Sequence, residues 1–599
     1  MHIEKGDFTA GRRMLWITSL ALVIGAVCSV VALVLLRLIS LFTNLFFFQT
    51  LSWSFTSPAA NHLGWWVVVP PVVGGLLIGL MARYGSDRIR GHGIPEALEA
   101  ILFGKSKMSL KVALLKPISS AISIGSGGPF GAEGPIIMTG GAFGSLMAQA
   151  FHLTAAERKT LLVAGACAGM SAVFFSPLAA TLLAVELLLF ELKPRSVVPV
   201  AAACVVAAML RPFLLGPGPL FPVPEHPVLP LKGLLFSVFC GLIAGLASAL
   251  LTKLVYIFED LFLKLPFHWM WFPAIGGLVV GIGGYFEPRA LGVGYDIIAD
   301  FLKGDTTATG AFFLILVKAF IWSFALGSGT SGGVLAPLLI MGGGLGVAEA
   351  AFFPAEGANS LWPLVSMAAI LGGVMRVPFT AVAFALELTH DTNAILPLLI
   401  ASVSAYAITV LTMKRSILTE KVARRGFHVL REYTVDLLEK NHVAEVMTKK
   451  AVVLVDAWPV SRAAKMILGQ NHKHQGYPVL DSKGKLVGMV SRWEIMKNKS
   501  SRRQKVGGLM NPKPVVAYPF DACRTAAARM ARHHIGRLPV VSPEQPWKLL
   551  GILTRSDLLK LNERHFEEEE IHEKFIGMDP SKIVRLPSSS SRSPFRKGA

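Results

Sequence analysis

Unbroken apolar runs, rather than alternation, dominate the first two thirds of the chain. The first covers Met14–Leu36, and similar runs recur until about Met413. Several approach the roughly 20 residues that cross a bilayer as a helix, which predicts a polytopic membrane protein. The first run follows Arg12 and Arg13, exceeds a signal-peptide core of roughly 7–15 residues and lacks a small-residue cleavage site. It is expected to stay as a span, with residues 1–13 as a short cytoplasmic segment under the positive-inside rule. Past Lys414-Arg415 and Arg424-Arg425 the pattern changes. From about His442, short β-branched runs alternate with amphipathic stretches, predicting a soluble α/β region. After Leu561 come the acids Glu567–Glu570 and SSSSRSPFRKGA, the composition of a disordered tail over 563–599.

Both regions repeat internally. GSGGPFGAEGPIIMTGGAFG (Gly125–Gly144) aligns with GSGTSGGVLAPLLIMGGGLG (Gly327–Gly346), matching Gly131 to Gly333 and Pro135 to Pro337. Pro177 leads to Glu186 at the same nine-residue spacing as Pro378 to Glu387. Paired halves interrupted by Gly and Pro are the pattern of a transporter with discontinuous helices. In the soluble part, Val446-Met447 followed by LVGMVSRWEIMK resembles Leu509-Met510 followed by LLGILTRSDLLK. The expected organisation is a membrane domain over 14–415 with repeats at about 64–215 and 230–413, a linker over 416–441, and paired modules at 442–499 and 505–562.

Composition agrees with the membrane reading: 53% of the 599 residues are hydrophobic. The net charge of +20 would suggest nucleic acid in a soluble chain. Here the Lys and Arg lie in loops and the carboxyl-terminal third, with no basic helix or aromatic platform, so positive-inside retention is the plainer reading and no nucleic-acid partner is expected. The five cysteines are scattered without CxxC, and His472, His474, His533 and His534 lack metal-ligand spacing, so no metal site is expected.

The chemistry concentrates in the glycine segments. In hydrocarbon every backbone N–H needs a partner, so non-helical glycine runs survive where they line a polar cavity. A glycine run opening into a helix leaves unpaired N–H groups at its positive end, ready for an anion. Pro135 and Pro337 fit the first turn, where a missing N–H costs nothing. GHGIP, Gly91–Pro95, is a third such opening. Three openings can hold a dehydrated anion without a fixed cation that would bind it too tightly to leave. Glu133, the lone acid of its segment, fits as a plug: ionised it occupies the same donors as an anion, and protonated it frees them. Simple helix capping is the bland alternative.

GHGIPE, GAEGP, GVLAP and MRVPFTAVAFALELT resemble the CLC chloride channels and proton-coupled chloride exchangers, and the paired tail modules resemble CBS domains. The resemblance, over about residues 12–562, implies two inverted repeats of broken, tilted helices followed by an α/β tandem CBS module. It implies a homodimer in the cell inner (plasma) membrane, with cytoplasmic CBS domains and an anion pathway in each subunit. It makes Glu133 the gate. It assigns chloride to Gly91, His92, Gly93, Ile94, Pro95, Gly131, Ala132, Gly134, Pro135, Gly333, Val334, Leu335 and Ala336, with Leu418 at the inner end. Chloride is the expected partner, with protons a second one in coupled relatives. No cofactor is required. In the CBS pair, Ser491 with Glu494 and Thr554 with Asp557 sit where an adenine nucleotide's ribose is held in the family; a ligand-free dimerisation module is the alternative.

The chain departs from the family pattern in four places. His92 replaces the serine of GSGIP, so that the imidazole either donates to the anion or caps the helix. Leu187 replaces the second, proton-carrying glutamate, and Glu191 one turn on reads as a solvated surface acid. Leu418 replaces the inner tyrosine. Ala132 stands where many relatives are basic. These changes favour channel-like or weakly proton-coupled chloride transport over strictly coupled antiport. A CBS-bearing cation transporter would need several pore carboxylates, and an enzyme would need a nucleophile–base pair, HExxH or P-loop; neither pattern is present in the sequence.

Overall fold

A computed structural model describes residues 11–223, 225–352, 360–427, 429, 431, 436–469, 474–501 and 503–561. The tail over 563–599, the first ten residues and His472 lie outside the described residues. The chain forms two compact units, one running through to residue 431 and the other beginning at residue 436.

In the first unit, the first half comprises α1 (Arg13–Phe48), α2 (Val69–Tyr84), α3 (Ile94–Leu102), α4 (Leu110–Gly125), α5 (Glu133–Gln149), α6 (Ala155–Phe174), α7 (Pro177–Leu183) and α8 (Pro194–Leu214). The second comprises α9 (Leu231–Leu263), α10 (Phe272–Phe286), α11 (Tyr295–Lys303), α12 (Ala308–Gly327), α13 (Leu335–Phe352), α14 (Leu361–Met375), α15 (Pro378–Thr389) and α16 (Ile395–Thr412). Among the described residues, eight helices are long and apolar enough to cross a membrane. α1 packs on α4, α6 and α8 as α9 packs on α12, α14 and α16, so each half opens with its own long helix.

The two nine-residue Pro-to-Glu spacings have a shared purpose. Within α7's π-helical extension (Ala184–Leu189), Glu186 accepts from the amides of Phe379 and Thr380 and from the Thr380 hydroxyl, at 3.3, 2.8 and 2.6 Å. At the far end of α15, Glu387 accepts from the amides of Leu178 and Ala179, both at 2.8 Å. Each acid caps the proline-started N-terminus of the other helix. Such an exchange requires α7 and α15 to run antiparallel, so the repeats are inverted. Leu187 is buried in the π-helical turn. Glu191 differs from the expected solvated acid: it is half-buried and accepts from Ser196 at the start of α8, 2.6 Å.

The stretch expected as a linker opens with a helix, α17 (Ile417–Arg424). It is fastened within the membrane unit by Lys421–Glu259 at 2.6 Å, Arg424–Asp260 at 2.5 Å and a Tyr256 hydroxyl bond to the Ile417 carbonyl. Further along, Arg431 donates to the carbonyls of Met375, Glu186 and Arg376 at 2.9, 2.9 and 3.0 Å, satisfying helix C-termini that lack intrahelical partners.

The second unit carries two small sheets: β1 (Leu454–Val455), β2 (Gly476–Leu480) and β3 (Leu486–Ser491), then β4 (Arg537–Val541) and β5 (Leu549–Thr554). Its modules exchange their leading segments. Val443 belongs to the core around Leu538 and Leu553, and Thr448 bridges to Ile552. Val506 belongs to the core around Tyr477 and Val490, and Asn511 bridges to Met489. The contiguous boundaries 442–499 and 505–562 therefore correspond to interleaved cores.

Candidate anion site

The three glycine openings interlock where α3, α5 and α13 begin. Gly131 and Gly333 form an antiparallel bridge, with N–H···O distances of 3.4 and 3.0 Å. A side chain on Gly134 would run into the His92 carbonyl oxygen, and one on Gly333 would come within 3.0 Å of the Gly134 nitrogen. Bare backbone is needed because backbone packs on backbone here.

Among the residues expected to hold the anion, this packing separates donors from turn-formers. Gly91 N–H is bound to the Thr330 carbonyl at 3.0 Å, Gly93 N–H to Glu96 Oε2 at 2.9 Å, and Gly131 and Gly333 to each other. These four glycines shape the turns, and their amides are occupied; the prolines Pro95, Pro135 and Pro337 have none to give. The first-turn amides of Ile94, Gly134, Leu335 and Ala336, with those of His92, Ala132 and Val334 just before, are the ones helix geometry leaves over. α3 is capped by Glu96, not by His92, which is buried with Nδ1 lacking a hydrogen bond. Glu96 is held from behind by Arg425 at 2.9 Å.

Glu133 is fully buried at the start of α5. The main-chain amides of Glu133 itself and of Ala336, in the first turn of α13, face its carboxyl group. Oε1 accepts from the Tyr295 hydroxyl at 3.4 Å, and Oε2 has no hydrogen bond of normal geometry. One repeat's acid thus sits at the positive end of the other repeat's helix. Leu418 is buried in the first turn of α17.

Sequence reading missed a fourth opening, GVGYD at α11, which supplies Tyr295. Gly91 and Gly93 (φ 88 and 91) are matched by Gly292 and Gly294 (φ 64 and 78). Behind them lie two buried lysines. Lys116 donates to the carbonyls of Ile89 and Gly91 at 2.8 and 2.9 Å, and Lys318 to those of Ala290 and Gly292 at 2.9 and 3.0 Å. Each lysine lies nine residues before a GSG, Gly125 or Gly327, which was the available signal. Their charge is spent on carbonyls that hold the turns, as intramembrane cations require; neither hydrogen bonds Glu133.

In the soluble unit, Ser491 Oγ meets Glu494 Oε2 at 2.7 Å and Thr554 Oγ1 meets Asp557 Oδ2 at 2.7 Å. Each acid also accepts from its partner's amide, at 2.8 and 2.9 Å, so both motifs close as capping boxes at helix starts. Among the described residues no group of three metal-ligating side chains occurs.

Helices that begin inside the buried apolar unit, with first-turn amides converging on a buried carboxylate, define a membrane protein that carries anions. The voltage gated chloride channel model matches residues 74–410, and the CBS domain model matches 443–501 and 506–563. The chain belongs to the voltage gated chloride channel family, whose members are transporters and channels. A ClcB-like chloride channel protein of Ralstonia nicotianae is 27% identical over 387 residues, 62% of this chain and 89% of its own length. The H(+)/Cl(-) exchange transporter ClcA of Citrobacter koseri is 28% identical over 358 residues, 55% of this chain and 74% of its own. The solved structure of a slow cyanobacterial Cl-/H+ antiporter superposes with a TM-score of 0.62 at 20% identity, over 70% of this chain and 99% of that one. Family membership decides against a CBS-bearing cation transporter.

Proposed function

We propose that the protein carries chloride through a pathway in each subunit of a homodimer in the plasma membrane, gated by Glu133 and weakly coupled or uncoupled to protons. The observation that carries this reading is the Glu133 carboxyl group at the Ala336 amide, where an ion would otherwise sit. Ionised, the side chain fills the donors; protonated, it loses its electrostatic hold on α13 and an anion replaces it. Flux therefore rises as pH falls. Weak coupling is supported by Leu187, which cannot carry a proton, at the position of the family's second glutamate. The second reading, a strictly coupled antiporter, is favoured by the exchange transporters among the relatives. The CBS pair lies on the cytoplasmic side in this reading and modulates flux by taking an adenine nucleotide, with Thr554–Asp557 and Ser491–Glu494 reopening toward the ribose.

Chloride flux from liposomes tests it. Glu133→Gln, locked neutral, is expected to conduct with little pH dependence; an unchanged pH response refutes the plug. A chloride gradient that drives uphill proton movement at fixed stoichiometry decides for the antiporter.

A further inference from the structure

One cavity of about 830 Å³ opens in the membrane unit beside α3 and α17, lined in part by Arg90, Gly91, Gly329, Lys421, Arg424 and Arg425. Three of the lining cations are neutralised: Lys421 by Glu259 at 2.6 Å, Arg424 by Asp260 at 2.5 Å, and Arg425 by Glu96 and Glu99 at 2.9 and 2.5 Å. Arg88 also lines the cavity but is exposed to solvent, which screens its charge, whereas Arg90 is half-buried. Among the described residues, Arg90 has no carboxylate within ion-pair distance. Its guanidinium lies over the Trp269 ring at 4.4 Å, and its Nε has no hydrogen bond. The acids that act on it electrostatically are Asp87, Glu259 and Glu96, of which the last two are held by other cations. Gly329, with φ 76, leaves the room this arrangement needs: a Cβ there would come within 2.7 Å of Arg90 Nη2. Arg90 also directly precedes the Gly91–Pro95 opening.

We propose that Arg90 forms a second anion-binding position, on the wall of this vestibule, which concentrates a small monovalent anion of the chloride or nitrate kind before the Glu133 site. This inference rests on the anion-transport reading. A guanidinium with one face on an indole is weakly hydrated and keeps its charge. An unpaired cation in a low-dielectric cleft raises the local anion concentration. In a cavity this wide it attracts an ion without trapping it, unlike a cation in the constriction. It supplies, at the mouth, the positive charge that Ala132 does not supply at the gate.

The test uses the full chain in planar bilayers, with chloride and then nitrate varied on the vestibule face alone. Arg90→Gln is expected to raise the half-saturating anion concentration on that face by about fivefold or more, leaving the opposite face unchanged. Arg90→Lys should recover most of the loss, and Trp269→Leu, which keeps the charge, should shift saturation far less. The proposal is overturned if Arg90→Gln saturates like the parent, or if Arg90→Lys or Trp269→Leu shifts as far as Arg90→Gln. If the parent protein carries neither ion, the transport reading falls by itself. Calorimetric titration of the solubilised full chain with chloride or nitrate then decides for Arg90: loss of a binding step in Arg90→Gln supports it, and an unchanged isotherm overturns it.

Discussion

Gly134 and Tyr295 set the behaviour of Glu133 from two sides. Gly134 lets α5 begin against the His92 carbonyl; a methyl group there displaces backbone, which does not give way as a side-chain tip would. Gly134→Ala is expected to cost about 1–3 kcal/mol, the range of core overpacking, and to lower the apparent melting temperature of the solubilised protein. Tyr295 donates to Glu133 Oε1, a bond that favours the ionised plug. Removing the hydroxyl by Tyr295→Phe favours the protonated, displaced form, so the rise in chloride flux should begin at higher pH. A curve that stays in place, or moves to lower pH, argues that the hydroxyl does not hold the carboxylate. Glu133 was legible in the sequence because it is the lone acid in a bare glycine run. Tyr295 was not, because its hydroxyl arrives from the other repeat, 162 residues away, and nothing in GVGYD resembles GHGIP beyond two glycines.

Exchange between duplicated elements recurs through the fold. The spacing of Pro177 to Glu186 and Pro378 to Glu387 was readable as a repeat; its reason was not, because a cap normally lies within the same helix, and here it comes from the antiparallel twin. Each cap contributes about 0.5–2 kcal/mol, the usual loss when a side-chain acceptor is removed from a helix N-terminus. Glu186→Ala and Glu387→Ala should therefore each lower the apparent melting temperature. The two carboxylates share no partner and lie near opposite ends of the pair, so the double substitution should equal the sum of the singles. A double variant that loses much more than the sum would mean the caps act as one unit. Leu187 is buried in the π-helical turn that carries the first of these caps. The sequence identified the missing acid but gave no sign of the widened turn around it, since an i→i+5 helix has no residue signature of its own.

At the scale of the whole molecule, the carboxyl-terminal unit folds by the same exchange, with a consequence for its independence. The alternation of short strands and helices predicted two modules in series. Hydrophobic period alone could not show that Val443 completes the second core and Val506 the first, because each segment's apolar pattern suits either core. Residues 436–561 should therefore fold as one piece, while 505–561 alone, lacking Val443 and the Thr448–Ile552 bridge, should not. Cys523 reports the difference and is the lone cysteine of either fragment. It lies in the second core, where burial, and then the nearby Glu445 carboxylate, push its thiol up to about 11. The thiolate is the reactive form, and an unperturbed thiol ionises near 8.5, so at pH 8 the short fragment should react with a maleimide on the order of a hundredfold faster than the long one. Removing 436–504 takes away both Glu445 and the covering segment, and both changes act in the same direction. Equal rates, with both fragments protected, would show that the second module closes its core without its neighbour, and the interleaved arrangement would then be dispensable for folding.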